Sequence, residues 1–305
     1  MKIQENVPLS THTTFEIGGK ARYYVAVKTE EEIREALAWA RQKNARFVIL
    51  AGGSNVLLPD QGLDALVICI ESDSSSFRGN VLEAETGCNL TALIRAASAR
   101  GLGGWEKLAG IPGTIGGAVR GNAGAFGPEI KDFVVRARAL NTDTSETKEF
   151  ENEECEFFYR QSFFKRHPEW VVTRVLVELE TVDPRDSANL IERTIAEREK
   201  RHIQNVRAAG SFFVNPVVPK EIQEMFETEK GVPSREGRVP AGWLIEKAGL
   251  KGARVGDAVA SLQHPNYLTN AGSATADDVR KLADMIKREV KETFGVTLQE
   301  EAVVF

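Results

Sequence analysis

The sequence predicts a mixed α and β protein that folds as two or three subdomains. Its 305 residues are more than one hydrophobic core usually serves. Apolar runs of strand length alternate along the chain with amphipathic helical patterns. With 42% hydrophobic and 27% charged residues, the composition is that of a globular protein and not of a disordered or fibrous chain. We therefore expect a large buried core, with a domain boundary near residue 200.

The individual elements follow from the same patterns. Strands are predicted at residues 23–27, 47–51, 65–70, 134–140 and 171–179. Helices are predicted at residues 30–43, 90–100, 190–200 and 276–293. The first helix should begin with a capping box of Thr29 and Glu32. The third helix should turn Leu190, Ile191 and Ile195 inward.

The last of these helices has the clearest pattern. Thr275 is placed to cap its first turn, and Gly295 is placed to end it. Five small or apolar residues recur at helical spacing between them, at positions 279, 282, 283, 286 and 290. This stripe predicts a core-facing helix and not a ligand site.

Charge and cysteine usage narrow the class of partner. The net charge of −5 leaves no basic surplus to hold a phosphodiester backbone, so no nucleic-acid partner is expected. Cys69, Cys88 and Cys155 are widely separated, which indicates neither a metal site nor a disulfide framework. No signal-peptide core and no membrane-spanning apolar run is present. We expect a soluble protein of the reducing cytoplasm, without a membrane partner.

Two glycine-rich segments are the first candidates for a binding site. They occupy residues 51–58 (Ala-Gly-Gly-Ser-Asn-Val-Leu-Leu) and 110–125, which opens with Gly-Ile-Pro-Gly-Thr-Ile-Gly-Gly. Neither matches the dinucleotide fingerprint of Rossmann folds or the lysine-containing loop of ATP sites. Consecutive glycines do allow backbone N–H groups to approach a diphosphate, which favours a dinucleotide cofactor. Tight turns in a β-rich domain are the alternative interpretation.

Three polar residues are candidates for chemistry. Arg160 lies among aromatic residues in a segment that, if extended, directs it away from Tyr159, and it could be a carboxylate clamp or a solvated edge residue. Ser211 follows a glycine outside any nucleophile-elbow motif, so it could donate a proton or simply cap a turn. Residues 298–305 look like a final strand, on which Glu301 and Glu300 face opposite sides. The four histidines are scattered, which gives a hydrolase little support.

Taken together, these motifs resemble one enzyme family along nearly the whole chain. The matching segments occur in the family's order at residues 6–21, 50–57, 110–125, 159–162, 210–213, 240–252, 264–270 and 298–301. On these motifs the chain is identified as a member of the UDP-N-acetylenolpyruvoylglucosamine reductases, which are flavoenzymes of peptidoglycan synthesis. The lack of an inserted tyrosine-bearing loop between Arg160 and Ser211 resembles the shorter, type II form.

The resemblance implies a fold and a domain plan. It implies the FAD-binding fold of the vanillyl-alcohol-oxidase type, made of two α+β subdomains, followed by a C-terminal α/β substrate-binding domain. The FAD-binding subdomains would be residues 1–70 and 71–200, and the substrate-binding domain residues 201–305. The last strand, 297–305, would return to the flavin site.

It also implies a reaction. NADPH, as co-substrate, reduces non-covalently bound FAD. A hydride then passes to C3 of the enolpyruvyl group of a UDP-sugar, and C2 receives a proton. Ser211 matches the family's proton donor, and Arg160 and Glu301 match the residues that stabilise the developing negative charge.

The same motif positions imply the binding residues. For FAD these are Gly52, Gly53, Ser54, Asn55, Gly110, Ile111, Pro112, Gly113, Thr114, Gly117, Asn122 and Gly124. For the substrate they are Tyr159, Arg198, Lys200, Asn215, His264 and Asn266. The chain departs from the family at Val214 and Val303, where a basic residue is usual, and at Arg201–His202, where Gln-Pro is usual. These departures leave the details of substrate binding open.

Two alternative functions remain compatible with the sequence. One is a different FAD-dependent oxidoreductase of the same superfamily. The other is a catalytically idle flavin- or sugar-nucleotide-binding module, which Val214 and Val303 alone suggest. The sequence leaves the oligomeric state open, and a monomer is compatible with it.

Overall fold

The computed structural model describes residues 1–201 and 206–305, without the side chain of Arg201. The Arg201–His202 departure therefore lies outside the described part. The chain divides into two compact units. Unit 1 contains residues 1–7, 21–53 and 63–200, and unit 2 contains residues 8–20, 54–62 and 201–305.

The described strands are β1 (Gln4–Pro8), β2 (Lys20–Val27), β3 (Phe47–Leu50), β4 (Val56–Leu57), β5 (Leu63–Ile70), β6 (Ser75–Arg78), β7 (Val81–Glu85), β8 (Leu102–Gly103), β9 (Val134–Asn141), β10 (Thr147–Glu151), β11 (Trp170–Glu178), β12 (Glu180–Thr181), β13 (Ala208–Ser211), β14 (Arg254–Val255), β15 (Ala258–Ala260), β16 (Tyr267–Asn270) and β17 (Val303–Val304). The described α-helices are α1 (Glu30–Gln42), α2 (Leu90–Ser98), α3 (Ile115–Gly121), α4 (Phe163–Arg166), α5 (Pro184–Arg201), α6 (Lys220–Lys230), α7 (Ala241–Lys247) and α8 (Ala276–Phe294).

Unit 1 contains two main sheets. The first has the order β1-β2-β5-β3, and both β2 and β3 run parallel to β5. Helix α1 packs on it through Ile33, Ala36 and Leu37. The second sheet, β10-β9-β11-β7-β6, is antiparallel, and α2 and α3 contribute to its buried core. The first glycine-rich loop begins where β3 ends, and the second leads into α3.

Unit 2 is built on an antiparallel sheet of order β13-β16-β15-β14. Helices α7 and α8 supply much of its core, and the stripe predicted for α8 is buried. Thr275 and Asp278 form a capping box at the start of α8, and Gly295 ends it with a φ of +67°. A separate parallel pair joins β17 to β4. The strand expected for residues 298–305 is therefore shorter than predicted.

The mixed α and β content is confirmed, and all five predicted strands and four predicted helices are present. Two details were wrong. Leu190 is 39% exposed, because the inward stripe of α5 runs through Ser187, Ile191, Thr194 and Arg198, and Leu190 lies beside it. Thr29 does cap α1, but the Glu32 carboxylate accepts from the N–H of Lys28, so the capping box is incomplete.

In the described part of the chain, no helix has the length and apolar character needed to cross a bilayer. The three cysteines are buried as free thiols.

Candidate active site

The two glycine-rich loops of unit 1 approach each other backbone to backbone. Gly52 follows β3, and a Cβ on it would lie 3.3 Å from the Cα of Gly113. Gly113 has a φ of +116°, which side-chain-bearing residues rarely adopt. The close approach therefore depends on glycine in both loops. We call residues 51–53 and 110–117 the flavin loops, after the cofactor that the sequence resemblance leads us to expect there.

The second flavin loop is fixed at both ends. The Gly113 carbonyl accepts from the N–H of Leu90 at 3.2 Å. The Thr114 hydroxyl accepts from the N–H of Gly117 at 3.2 Å and so caps α3. A Cβ on Gly110 would lie 3.0 Å from Cδ of Arg198, so this arginine packs on the loop.

Arg198 and Lys200 lie in different surroundings on α5. Arg198 is only 8% exposed, and its guanidinium carbon lies 5.8 Å from the ring centre of Phe126, close enough for a cation–π contact. Lys200 is exposed. Of these two predicted substrate cations, only Arg198 packs on a flavin loop.

Asn122 follows α3, with a φ of +44° and no exposed surface. Its side-chain amide donates to the carboxylate of Glu129 at 2.9 Å and to the carbonyl of Phe158 at 2.8 Å. Its side-chain oxygen accepts from the N–H of Lys131 at 3.3 Å. The polar atoms of this predicted cofactor residue therefore hold the chain after the second flavin loop in place.

Arg160 lies in a turn and not in an extended segment, so the facing away from Tyr159 that extension would give does not arise. Phe158 and Gln161 exchange two backbone hydrogen bonds of 3.0 Å, which makes Tyr159 and Arg160 the central residues of a tight turn. Arg160 has a φ of +57°, and its guanidinium donates to the carbonyl of Gly124 at 2.9 Å. It also lies 5.2 Å from the ring centre of Tyr159. The turn thus places the Arg160 guanidinium beside residues 122–124.

The sequence analysis missed Arg120, which lies in the last turn of α3. Burial lowers the pKa of this guanidinium. Within the described residues, the Arg120 side chain has no hydrogen bond and no ion pair. One signal could have drawn attention to it, because Arg120 is the single charged residue between Gly110 and Gly127.

In unit 2, Ser211 ends strand β13 opposite Tyr267 of β16. It is half-buried, and its hydroxyl makes no hydrogen bond to any residue that the structure describes. The two following residues, Phe212 and Phe213, are buried in the core. The backbone around Ser211 is therefore anchored, while its hydroxyl remains available to donate.

Asn266 anchors the same segment through the backbone. It is 2% exposed, its side-chain oxygen accepts from the N–H of Phe213 at 2.9 Å, and its amide donates to the carbonyl of Phe213 at 2.8 Å. The N–H of Phe212 donates to the Asn266 carbonyl at 2.7 Å. These bonds fix the backbone that follows Ser211.

The end of the chain pairs with two segments in succession, first with residue Phe213 and then with strand β4. Glu300 forms a single bridge with Phe213, and the chain then bends before β17 pairs with β4. At the bend, the N–H of Glu301 donates to the carbonyl of Phe212 at 2.8 Å. Glu301 is half-buried, whereas Glu300 is exposed and its carboxylate pairs with Lys287 at 2.7 Å. Of the two glutamates, Glu301 is the one bonded to Phe212, whose carbonyl also accepts from the N–H of Ala302 at 3.4 Å.

Three further predicted ligand residues of unit 2 also contact the protein itself. The amide of Asn55 donates to the carbonyl of Glu301 at 3.2 Å. The side-chain oxygen of Asn215 accepts from the N–H of Ala241 at 3.0 Å, at the start of α7. The ring of His264 lies 5.0 Å from that of Tyr267, and burial lowers its pKa, which favours the neutral imidazole.

The predicted residues therefore form two groups. In unit 1 the structure gathers the flavin loops, Arg198 and the Arg160 turn. In unit 2 it gathers Ser211, Glu301 and Asn55 around Phe212, with Ser54 preceding Asn55 in the chain. The flavin loops fit a dinucleotide diphosphate, because a side chain at Gly52 would fill the space between them.

Comparison with known proteins finds two family models that match this chain. Residues 21–150 match the family model of an FAD-binding domain. Residues 201–305 match the family model described as the C-terminal domain of UDP-N-acetylenolpyruvoylglucosamine reductase.

Relatives of that name extend over the whole chain. The reductase of Solibacter usitatus is 35% identical and covers 99% of this chain and 96% of its own length. That of Pseudomonas putida is 36% identical over 98% of this chain and 97% of its own. The crystal structure of the Thermus caldophilus enzyme superposes with a TM-score of 0.77 at 30% identity, covering 100% of this chain and 98% of that one. The FAD-binding fold with a C-terminal domain is confirmed, and the chain belongs to the UDP-N-acetylenolpyruvoylglucosamine reductase family.

Proposed function

We propose that the two groups of residues described above carry out the reaction of this family. The chain is an FAD-dependent oxidoreductase that uses NADPH to reduce the enolpyruvyl group of UDP-N-acetylglucosamine enolpyruvate, giving UDP-N-acetylmuramate for peptidoglycan synthesis. The observation that carries the assignment of roles is the 2.8 Å bond from the Glu301 N–H to the Phe212 carbonyl. It holds a carboxyl-bearing residue next to the segment that presents the free Ser211 hydroxyl.

The flavin loops would hold the diphosphate of FAD through backbone N–H groups of Gly52, Gly53 and residues 110–114. Gly117, Asn122 and Gly124 would continue this surface, and Ser54 and Asn55 would extend the first loop. When bound, FAD supplies the hydride that it has received from NADPH. Among the described residues, neither cysteine nor histidine lies in the flavin loops, so we propose non-covalent binding.

Ser211 would donate the proton to C2 of the enolpyruvyl group. The substrate gains a hydride at C3 and a proton at C2. Its C2–C3 double bond becomes a single bond, and the substrate loses no atom. A serine hydroxyl is a weak acid, and it donates efficiently only to a strongly basic carbon that it already contacts. The anchored backbone on both sides of Ser211 provides such a fixed position.

Arg160 and Glu301 would balance the negative charge that develops on the enolpyruvyl carboxylate. A guanidinium held in a tight turn offers donors in a fixed direction, which suits electrostatic stabilisation of that charge. A protonated Glu301 carboxyl group, or one that relays a proton through water, would complete the donor set.

The remaining predicted residues would bind the UDP-sugar. Arg198 and Lys200 supply cations for its phosphates or carboxylate, and Tyr159 and His264 supply aromatic surface. We keep Asn215 and Asn266 in the substrate group. Asn266 is bonded to the backbone that follows Ser211, which supports a role in fixing that backbone, and Asn215 is bonded to the N–H of Ala241 at the start of α7.

We further propose that residues 1–70 and 71–200 are the two FAD-binding subdomains and that residues 201–305 bind the substrate. The segment 297–305 would act at the flavin. We propose that the enzyme works in the cytoplasm, because NADPH and nucleotide sugars are cytoplasmic metabolites. A monomer suffices for these roles.

The test begins with the colour of the purified protein. It should be yellow, and acid or heat should release FAD into the supernatant. Under anaerobic conditions NADPH should bleach the flavin, and UDP-N-acetylglucosamine enolpyruvate should restore its absorbance. UDP-N-acetylglucosamine, which lacks the enolpyruvyl group, is the control and should leave the flavin reduced.

The two alternative functions give different outcomes in the same experiment. Bleaching by NADPH without reoxidation by the enolpyruvyl sugar would indicate an oxidoreductase of another substrate. Binding of the sugar nucleotide without oxidation of NADPH would indicate an idle module. Either result would contradict the proposal.

A further inference from the structure

A side-chain contact in unit 2 joins the first glycine motif to the end of the chain. Asn55 belongs to the Gly-Gly-Ser-Asn motif, from which the sequence predicts a cofactor contact. Its amide instead donates to the backbone carbonyl of Glu301 at 3.2 Å, across 246 positions of sequence. Both residues are half-buried.

The contact between Asn55 and Glu301 lies where the C-terminal segment stops pairing with Phe213 and begins to pair with β4. Before it, Glu300 pairs with Phe213, and after it β17 pairs with β4. The Asn55 carbonyl accepts from the N–H of Val303 at 3.0 Å, so Asn55 binds the chain on both sides of Ala302. The Phe212 carbonyl holds the N–H of Glu301 at 2.8 Å from the other side. Glu301 thus has its N–H and its carbonyl bound in different directions.

This arrangement determines the direction of the Glu301 side chain. A residue at a bend has no ladder of strand hydrogen bonds to fix its backbone, and its side chain follows any rotation of its peptide planes. The Asn55 amide restrains the peptide after Glu301, and the Phe212 carbonyl restrains the peptide before it. Removing the Asn55 amide would leave the peptide after Glu301 with the longer 3.4 Å bond from the Ala302 N–H to the Phe212 carbonyl.

We propose that Asn55 is a positioning residue for Glu301 in the enolpyruvyl half of the reaction. The inference rests on the proposed role of Glu301. It assigns to the last residue of the glycine motif a function that is separate from holding the cofactor.

The first test uses Asn55→Ala and Asn55→Asp in the FAD-loaded enzyme. Neither replacement donates a hydrogen bond at neutral pH, and the second keeps the shape of the side chain. Because Asn55 also extends the first flavin loop, both variants are measured per bound FAD, and reduction of that flavin by NADPH should slow less than its reoxidation. Single-turnover reoxidation by the enolpyruvyl sugar should slow about tenfold, which corresponds to one lost hydrogen bond. Asn80→Ala, which removes an exposed side-chain contact to Glu178, is the matched control and should match wild type.

A double-mutant cycle separates positioning from direct contact. If Asn55 acts through Glu301, Asn55→Ala should cause no further slowing in a Glu301→Gln background. The same tenfold slowing in both backgrounds would overturn the inference while leaving the role of Glu301 intact. A wild-type rate for Glu301→Gln itself would overturn that proposed role, and the inference with it.

Amide hydrogen exchange gives a readout that does not depend on activity. In the FAD-loaded enzyme, Asn55→Ala should speed exchange in the peptide that covers residues 299–305 and leave α8 unchanged. Unchanged exchange in this peptide would contradict the inference. So would loss of FAD together with a wild-type reoxidation rate in the fraction that remains loaded.

Discussion

In unit 1 the predicted cofactor residues are mostly glycines whose backbone approaches another loop, whereas in unit 2 the predicted ligand residues are polar side chains bonded to backbone. Gly52 contributes by lacking a side chain, since a Cβ would meet Gly113 at 3.3 Å. Asn266 contributes by having one, since it binds both polar atoms of Phe213's backbone. A motif can therefore serve a ligand directly or serve the backbone that carries a reactive group.

The comparison predicts that changes in unit 2 affect one half-reaction. Ser211→Ala should reduce flavin with NADPH at nearly the wild-type rate, but reoxidation by the enolpyruvyl sugar should slow by about 10³-fold or more, because only this step needs the proton. Stopped-flow absorbance separates the two steps. Equal slowing of both would mean that Ser211 matters for folding or flavin placement.

The neighbouring glutamates give a matched pair for the second prediction. Glu301→Gln should slow reoxidation about 100-fold, because the amide can neither carry nor relay a proton. Glu300→Gln should remain within a few-fold of wild type, because Glu300 is exposed and paired with Lys287. Both variants should keep FAD. The opposite ranking in single-turnover reoxidation would show that the two positions have been assigned the wrong way round.

For unit 1, the substitution with the largest expected effect is Gly113→Val. A β-branched residue at a φ of +116° is strained by about 1–3 kcal/mol, and the Gly113 Cα already lies 3.3 Å from where a Cβ on Gly52 would stand. FAD affinity should fall about tenfold or more, with a smaller effect on folding. Gly121→Ala is the control, because a Cβ added there would have no atom within 4 Å. Equal flavin content in the two purified variants would argue against a diphosphate site at the flavin loops.

A stability measurement tests whether Asn266 serves the backbone. Asn266→Ala leaves two buried polar groups of Phe213 without partners, which should lower the free energy of unfolding by about 2–4 kcal/mol. Thermal unfolding of the FAD-loaded protein should shift downward by several degrees. Asn80→Ala should leave the transition unchanged. A stable Asn266→Ala enzyme with only a raised KM for the sugar would instead indicate direct substrate contact.

The smallest expected effect concerns Glu30 in unit 1. Burial opposes its ionisation, but hydrogen bonds from Arg138, Arg34, Thr147 and Thr173 outweigh burial and lower the pKa to about 2. A lowered folded-state pKa stabilises the protein above the ordinary value of 4.5, and this stabilisation is lost as the pH falls from about 4.5 to 2. Glu30→Gln should flatten that part of the stability profile, as measured by urea unfolding. If Glu30→Gln leaves the pH dependence of the free energy of unfolding unchanged in this range, the lowered pKa of Glu30 is contradicted.

The sequence predicted the elements well where one pattern determined them. The apolar stripe and caps of α8 specify a helix without help from the rest of the chain, and the structure has it at residues 276–294. The segment around Arg160 would direct Arg160 away from Tyr159 only if it were extended. Its turn instead arises from paired bonds between Phe158 and Gln161, which alternation of residue types does not encode.

The motifs predicted which residues belong to the candidate site, but not which groups those residues contact. The resemblance named Asn55, Asn122 and Asn266 as ligand residues, and the structure bonds each of them to distant backbone. Such bonds depend on tertiary packing, because the partners are far apart in sequence. Arg120 was missed for a related reason, since its burial without a counter-ion among the described residues becomes visible only in three dimensions.

We expect Ser211 and Glu301 to act as one functional unit, held together through Phe212. A double-mutant cycle on single-turnover flavin reoxidation by UDP-N-acetylglucosamine enolpyruvate tests it most directly. If the claim is right, Ser211→Ala with Glu301→Gln should be no more than a few-fold slower than Ser211→Ala alone, because residues that act as a unit are not additive. If the two effects multiply in full, the residues act independently and the account is contradicted.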